Sequence, residues 1–355
     1  MSVDRDIQEL LQQRVAQAME TRTPLAICAG NSKNFLGRES DGEIFSVADH
    51  RGILSYEPTE LVLTARSGTP LDEIEATLAE QHQLLAFEPP HYGPGATLGG
   101  TIAAGLSGPR RAFAGACRDF VLGTGIINGK AEILHFGGQV MKNVAGYDVS
   151  RLMTGAMGTL GVLLDISLKV LPVAPEQCSL SFSENRATAI TRMNQWCGRP
   201  LPLSALAWHD QTLYARLSGT AGGLQSACKK LGGEPLADGE SFWAGLREQR
   251  HAFFATSDPL WRLSVPSATP PLALPGEVLI EWGGALRWLK TDADASSVRA
   301  VTASAGGHAL LYRNGDPSGE IYHPLGDGLL RLQQRIKAAF DPLGIFNPGR
   351  MYALI

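Results

Sequence analysis

Between Gly93 and Gly123 the chain reads GPGATLGGTIAAGLSGPRRAFAGACRDFVLG, with eight glycines in 31 residues and hardly a large side chain before Phe113. Glycine loses more conformational freedom on folding than any other residue. A dense run of it is therefore tolerated where backbone must come close to something or adopt positive φ. Something has to lie against this segment, either another piece of chain or a flat bound group.

The flanking sequence supplies strands to carry it. Ile7, Leu10, Leu11, Val15 and Met19 recur at helical spacing, so residues 4 to 20 are expected to form an amphipathic helix. PLAICAG (24–30) reads as a short apolar strand running into the small polar turn Asn31-Ser32-Lys33-Asn34, an arrangement that turns backbone N–H groups toward one point as an anion nest. ILSYEPTELVLTARSG (53–68) alternates around a Glu-Pro turn as two strands do. Thr69 is the expected N-cap and Pro70 the first residue of a helix carrying Leu71, Ile74 and Leu78 on one face.

Within the glycine stretch, Thr97 is placed to cap a short helix of tiny residues, and Arg118 to Gly123 to resume a strand. A hairpin turning at Asn128-Gly129 follows, then a helix near Val149 to Met153, a second glycine run (Gly155, Gly158, Gly161) and a buried strand ending at Pro172. Composition shifts at Val173-Ala174-Pro175. This implies three parts: a first domain over 1–173, a second over 174–328, and a C-terminal segment over 329–355 that returns to the first. In the second part TLYARLSG (212–219) and EVLIEWGGALRWLK (277–290) each read as a strand; the face with Trp282 and Trp288 is a candidate partner surface, although alternating strand residues with a tryptophan are more often core. The last helix is expected to turn Leu329, Leu332, Ile336 and Phe340 inward before Asn347-Pro348-Gly349 fixes the place of Arg350.

Several chemistries are excluded. With 31 basic against 35 acidic residues the net charge is -4, which gives no footprint for nucleic acid. The five cysteines form no C-x-x-C pair and the eight histidines no HExxH, so no metal or iron–sulfur site is expected. G-x-x-x-x-G-K-[ST] and G-x-S-x-G are both missing, and Pro89-Pro90 stands where the central strand of a Rossmann unit would enter. The acidic start and the lack of a long apolar run place the chain in the cytoplasm, with any attachment to the inner membrane made through a complex. What remains is two glycine-dense segments about 50 residues apart and an upstream polar turn, the layout for a long cofactor lying extended, its diphosphate on the turn and a flat ring against the glycines.

AGNSKNFLG, YEPTELVLTARSGTPLDEI, GATLGGTIAAGLSGPRR, RDFVLG, KNVAGYD followed by GTLG, and FDPLGIFNPGR occur in this order. Together they resemble the FAD-linked oxidases of the vanillyl-alcohol oxidase, or PCMH, type, and within that family most closely the FAD-binding subunits of bacterial glycolate oxidases. The resemblance implies an α+β fold, with a two-part PCMH-type FAD-binding domain and a second α+β cap or substrate domain.

It also implies which residues meet non-covalently bound FAD. Ala29, Gly30, Asn31, Ser32, Lys33 and Asn34 would hold the diphosphate. Pro90, Gly93, Thr97, Gly99, Gly100, Ala103 and Gly105 would line ribityl and ring, with Gly108, Gly115, Val121 and Leu122 near adenosine or the ring edge. Gly158 and Val162 would come from the second glycine run, and Asn347 and Arg350 from the C-terminus. Arg350 or Lys142 would supply a cation for the charge that grows on the flavin N1–C2=O edge.

Relatives that oxidise 2-hydroxy acids by themselves carry an H-x-G-D-G-N-x-H motif. In GGHALLYRNGD (306–316) only His308 resembles it. The implied role is therefore an FAD-binding, electron-relaying subunit of a heteromeric glycolate oxidase (dehydrogenase). Its partners would be a sister FAD-linked subunit that oxidises glycolate, a small 2-hydroxy acid, to glyoxylate, and an iron–sulfur subunit. Two alternatives stand beside it: an autonomous FAD-dependent 2-hydroxy-acid dehydrogenase using His308, His323 or Tyr147 as base, and a non-catalytic scaffold.

Overall fold

The computed structural model describes residues 4–138, 148–316 and 318–355. Lys142 and Tyr147 lie outside the described residues. The first lobe begins with α1 (Gln8–Thr21), which buries Leu11, Val15 and Ala18. It starts four residues later than the periodicity suggests because Asp4 and Asp6 turn away to Arg66, Asp6 also accepting from the N–H of Gln8 at 2.9 Å. Strands β1 (Leu25–Cys28) and β2 (Glu43–Ser46) pair in parallel, and Phe346 from the C-terminus bridges to Leu25 alongside them.

Next come β3 (Ile53–Glu57), β4 (Val62–Arg66), α2 (Leu71–Ala79), β5 (Gln83–Leu84), α3 (Leu98–Ala104), and the single turns α4 (Arg111–Ala114) and α5 (Cys117–Phe120). They are followed by β6 (Val121–Ile127), β7 (Ile133–Gly137), α6 (Val149–Met153), β8 (Val162–Lys169) and β9 (Leu171–Pro172). The antiparallel sheet runs in the order β3-β4-β8-β6-β7. Its central strand β8 is covered on both sides. Leu163, Ile166 and Leu168 join the core under α2 and α3, while Val162 and Leu164 join the core under α1 and β1.

The second lobe comprises β10 (Glu176–Ser183), α7 (Arg186–Cys197), β11 (Leu203–His209), β12 (Thr212–Gly219), α8 (Ala221–Leu231), β13 (Glu234–Pro235) and α9 (Gly239–Arg247). It continues with β14 (Leu260–Ser264), β15 (Glu277–Glu281), β16 (Leu286–Lys290), α10 (Ala295–Ser304) and β17 (His308–Arg313). Its sheet is antiparallel in the order β13-β10-β12-β11-β15-β16-β14-β17. Alternation in β11 sorts the faces: Leu206 and Trp208 pack under α7 and α8, whereas Ala205 and Ala207 face a cluster that includes Leu36, Leu106 and Met157 of the first lobe. The sheet thus forms a lid seated on the glycine-rich lobe. Helix α11 (Asp327–Phe340) and the tail then return to the first lobe, where Ile336 and Phe340 join its core. Among the described residues no helix is long and apolar enough to cross a membrane.

Five local expectations need correction. Thr69 is not the cap of α2: its hydroxyl accepts from the N–H of Gly52 at 2.9 Å and donates to the carbonyl of Gly52, and Pro70 precedes the first turn. Cys117 to Phe120 are helical, because the Asp119 carboxylate accepts from the N–H of Ala116 and closes a turn before β6 begins at Val121. The segment 277–290 is two paired strands, β15 and β16, bent at Trp282-Gly283-Gly284, where Trp282 and both glycines take positive φ. Trp282 and Trp288 are buried in the core between the lobes rather than on a partner surface. In α11, Leu329 and Leu332 are 58% and 49% exposed, because only the C-terminal half of the helix reaches the core, ending where Phe340 meets Phe136.

Candidate functional site

β1 delivers Ala29 to Asn34 to one wall of a cleft of about 450 Å³. Asn31 takes φ 56°, and two turns close behind it, the N–H of Asn34 donating to Asn31 O and that of Leu36 to Lys33 O, each at 3.0 Å. Among the described residues the N–H groups of Gly30, Asn31, Ser32 and Lys33 find no acceptor. Successive unsatisfied N–H groups around a left-handed residue form an anion nest. Gly30 is obligatory for a different reason: a Cβ there would overlap the carbonyl oxygen of Gly95.

The opposite wall is α3. Thr97 caps it as expected, its Oγ1 accepting from the N–H of Gly100 at 3.2 Å. Neighbouring glycines in this helix have opposite duties. A Cβ on Gly99 would sit 2.7 Å from Cβ of Ser67, so Gly99 is demanded by chain packing; a Cβ on Gly100 would project into the cleft, meeting only Thr97 Oγ1 at 3.2 Å. Gly100, Ala103 and Ala104 therefore present the cleft with a face nearly free of side chains, the surface a planar ring needs.

The tail fixes the walls against each other. The Asn347 carboxamide accepts from the N–H of Ile27 at 2.7 Å and donates to Met157 O at 2.7 Å, joining β1 to the second glycine run. Gly158, at φ 72°, would carry a Cβ 2.6 Å from Nδ2 of Asn347. Arg350 donates to Arg38 O and to Asn34 O, both at 2.8 Å, and so latches the polar loop from below. Its guanidinium is committed to these carbonyls, which leaves Lys33 as the more available cation. Lys33 is 8% exposed, has no carboxylate at ion-pair distance among the described residues, and reaches only Ser32 Oγ and His91 O, each at 3.4 Å. Burial pushes its ammonium down to about 8, opposed by the charge of Glu248.

Glu248, just beyond α9, also accepts from the N–H groups of His91 at 3.1 Å and Tyr92 at 2.9 Å, tying the lid to the entry of the glycine stretch. The hydroxyls of Tyr92 and Tyr312 are 2.8 Å apart, and Trp282 Nε1 donates to Gly108 O at 3.0 Å. The first part of the stretch faces the cleft; the part around Gly108 grips the lid.

Of the residues expected to meet a cofactor, Ala29 to Asn34, Thr97, Gly100, Ala103, Asn347 and Arg350 line this one cleft. The others are placed elsewhere. Pro90 and Gly108 line a small cavity between the lobes. Gly105 packs its backbone against Gly155, Gly115 ends α4, Val121 and Val162 are core, and Leu122 lies half-buried in β6. Gly93 is exposed at φ 106° near the cleft-lining Gly95. His308 is exposed on β17, the edge strand of the lid, and does not line the cleft. Sequence reasoning did not select Ile27, Cys28, Glu39, Ser40, Asp41 or Met157, which also line it. Cys28 and Ile27 were legible only as a strand approaching the turn, and nothing in the local pattern separates 39–41 from an ordinary loop.

N–H groups without an acceptor and a buried ammonium without a carboxylate partner among the described residues, together with a bare helical face, fit an elongated anion ending in a flat ring, which is the chemistry of FAD. A family model described as an FAD binding domain matches residues 6–137. The chain is 50% identical over 348 residues, 98% of both chains, to glycolate oxidase subunit GlcE of Escherichia coli (strain K12). It is 32% identical to D-lactate dehydrogenase of Anaerostipes hadrus over 48% of this chain and 36% of that one. Among solved structures, p-cresol methylhydroxylase with substrate bound superposes with a TM-score of 0.71 at 15% identity, over 97% of this chain and 87% of that one.

Proposed function

The chain belongs to the family of FAD-binding oxidoreductase subunits represented by glycolate oxidase subunit GlcE, and on that premise we propose that it is the electron-relaying subunit of a heteromeric glycolate oxidase (dehydrogenase). In this reading a sister FAD-linked subunit oxidises glycolate to glyoxylate and an iron–sulfur subunit carries the electrons onward. The observation that carries the reading is a full-length likeness to a glycolate oxidase subunit, combined with a cleft whose lining of small polar loop and bare helical face suits a diphosphate and a flat ring.

Bound FAD supplies the redox chemistry. The chain's residues supply placement. The N–H groups of Gly30 to Lys33 and the Lys33 ammonium take the charge of the diphosphate, while Gly100, Ala103 and Ala104 leave the ring its face. Asn347 and Arg350 act on the protein side, holding β1, Met157 and the polar loop in register. His308 is exposed on an edge strand and does not line the cleft, which supports a relay over an autonomous dehydrogenase using it as base.

The test is purification of the native complex with a flavin count per subunit and metal analysis. The reading expects one non-covalent FAD on this chain, a second on the sister subunit, and iron on a third. A complex with flavin only on the sister subunit would make this chain a scaffold.

A further inference from the structure

Cys178 on β10 and Cys228 on α8 bring their Sγ atoms to 3.3 Å; neither lines the cofactor cleft or has a role derived above. Both are half-buried free thiols, held by different frameworks. Cys178 is fixed by sheet register, opposite Leu217 of β12, and Cys228 by the packing of α8 beside Leu224 and Ala227 on the same core. A disulfide needs the sulfurs at ~2.05 Å with Cβ atoms about 3.5–4.5 Å apart, so small side-chain rotations suffice. The other three cysteines differ: Cys117 is fully buried, Cys28 lines the cleft and Cys197 is exposed.

We propose that Cys178 and Cys228 form a reversible dithiol–disulfide site, closed by a peroxide and reopened by a small thiol, which staples α8 to β10 of the lid. Burial and the hydrogen bond to its neighbour push the Cys178 thiol up to about 12, and the two sulfurs lie close enough for either to take the first oxygen. One of the pair, as its thiolate, attacks one peroxide oxygen, expelling hydroxide, which takes up the thiol's proton to leave as water; the products are a sulfenic acid and one water. The other cysteine then attacks that sulfur, losing its proton as the sulfenic oxygen departs in a second water. In sum two thiols and one hydrogen peroxide give one disulfide and two waters. The bond closes a loop spanning α7, β11 and β12, which is a large part of the lid sheet. This inference is independent of the proposed function.

The experiment treats the folded full-length protein with hydrogen peroxide, quenches, denatures it with N-ethylmaleimide, and reads intact mass and a non-reducing peptide map. The expected result is a protein carrying three labels instead of five, a single peptide pair joining Cys178 to Cys228, reversal by dithiothreitol, and a thermal midpoint raised by roughly 4–10 °C. Cys197→Ser, which removes the exposed thiol and leaves four cysteines, is expected to carry two labels instead of four and to give the same Cys178–Cys228 peptide pair. Five labels after oxidation, or loss of labels at Cys197 alone or through links between chains, would overturn the proposal. The mass readout on the unmutated chain does not depend on whether Cys178→Ser folds.

Discussion

Gly30 and Gly95 come together across the mouth of the cleft so closely that no side chain fits on Gly30: its Cβ would occupy the position of the Gly95 carbonyl oxygen. The polar turn after β1 and the start of the glycine stretch are thus one structural unit, although 65 residues separate them in sequence. Gly30→Ala is expected to push the turn away from Gly95, lowering stability by about 1–3 kcal/mol and lowering FAD content in parallel. Denaturant unfolding and the flavin-to-protein absorbance ratio check both.

The pair Gly99 and Gly100 separates packing from binding. Gly99→Ala drives a Cβ into Ser67 and is expected to destabilise the fold by about 1–3 kcal/mol. Gly100→Val, whose side chain enters the cleft, is expected to leave the thermal midpoint of the FAD-free protein nearly unchanged while weakening FAD at least ~10-fold, or about 1.4 kcal/mol. A Gly100→Val protein with normal FAD affinity would show that the ring does not lie on this face.

Lys33 makes cofactor binding depend on pH. Its ammonium, ordinarily near ~10.4 in an unfolded chain, is pushed down to about 8 by burial. Between those values the unfolded chain binds more protons than the folded one, so the stability of the FAD-free protein rises with pH from about 8 toward ~10.4. FAD affinity runs the opposite way, because above about 8 the free site has lost the charge that meets the diphosphate. Titration calorimetry in buffers of different ionisation enthalpy is expected to show proton uptake on FAD binding near pH 8–9. Lys33→Met is expected to abolish that uptake and to weaken binding at pH 7 by ~10–100-fold.

Asn347 lines the cleft and also holds its walls together. Asn347→Leu removes an acceptor from the part-buried Ile27 N–H and a donor from the buried Met157 O, and is expected to cost about 1–3 kcal/mol. Asn347→Asp keeps the acceptor but places a carboxylate against the Met157 carbonyl, so it too is expected to lower the denaturation midpoint. Stability equal to the parent in both variants would remove the pin.

Legibility followed how local each feature is. The Thr97 cap, the hairpin between β6 and β7 and the buried face of α2 depend on residues within a few positions of one another, and the structure has all three, although the hairpin turns over the five residues 128–132, with Ala131 at positive φ, rather than at Asn128-Gly129 alone. The two-lobed α+β fold was legible through the order of the motifs. The misreadings have long-range causes. Thr69 is drawn to Gly52, Leu329 and Leu332 are periodic but meet no core, and a glycine pair after Trp282 bends one apparent strand into two. Which glycine faces a ring and which faces chain was not legible at all, since Gly99 and Gly100 are adjacent and differ only in what folds against them. The value of Lys33 as a charge was equally hidden, because it comes from His91, Tyr92 and Glu248 closing over it from other segments.

Anaerobic mixing of the FAD-loaded chain with glycolate, followed by flavin absorbance, separates a relay from a self-sufficient dehydrogenase. The flavin is expected to stay oxidised with glycolate alone and to be reduced once the sister flavoprotein subunit is added. Rapid and complete bleaching by glycolate in the absence of any partner would contradict the relay and make this chain a dehydrogenase in its own right.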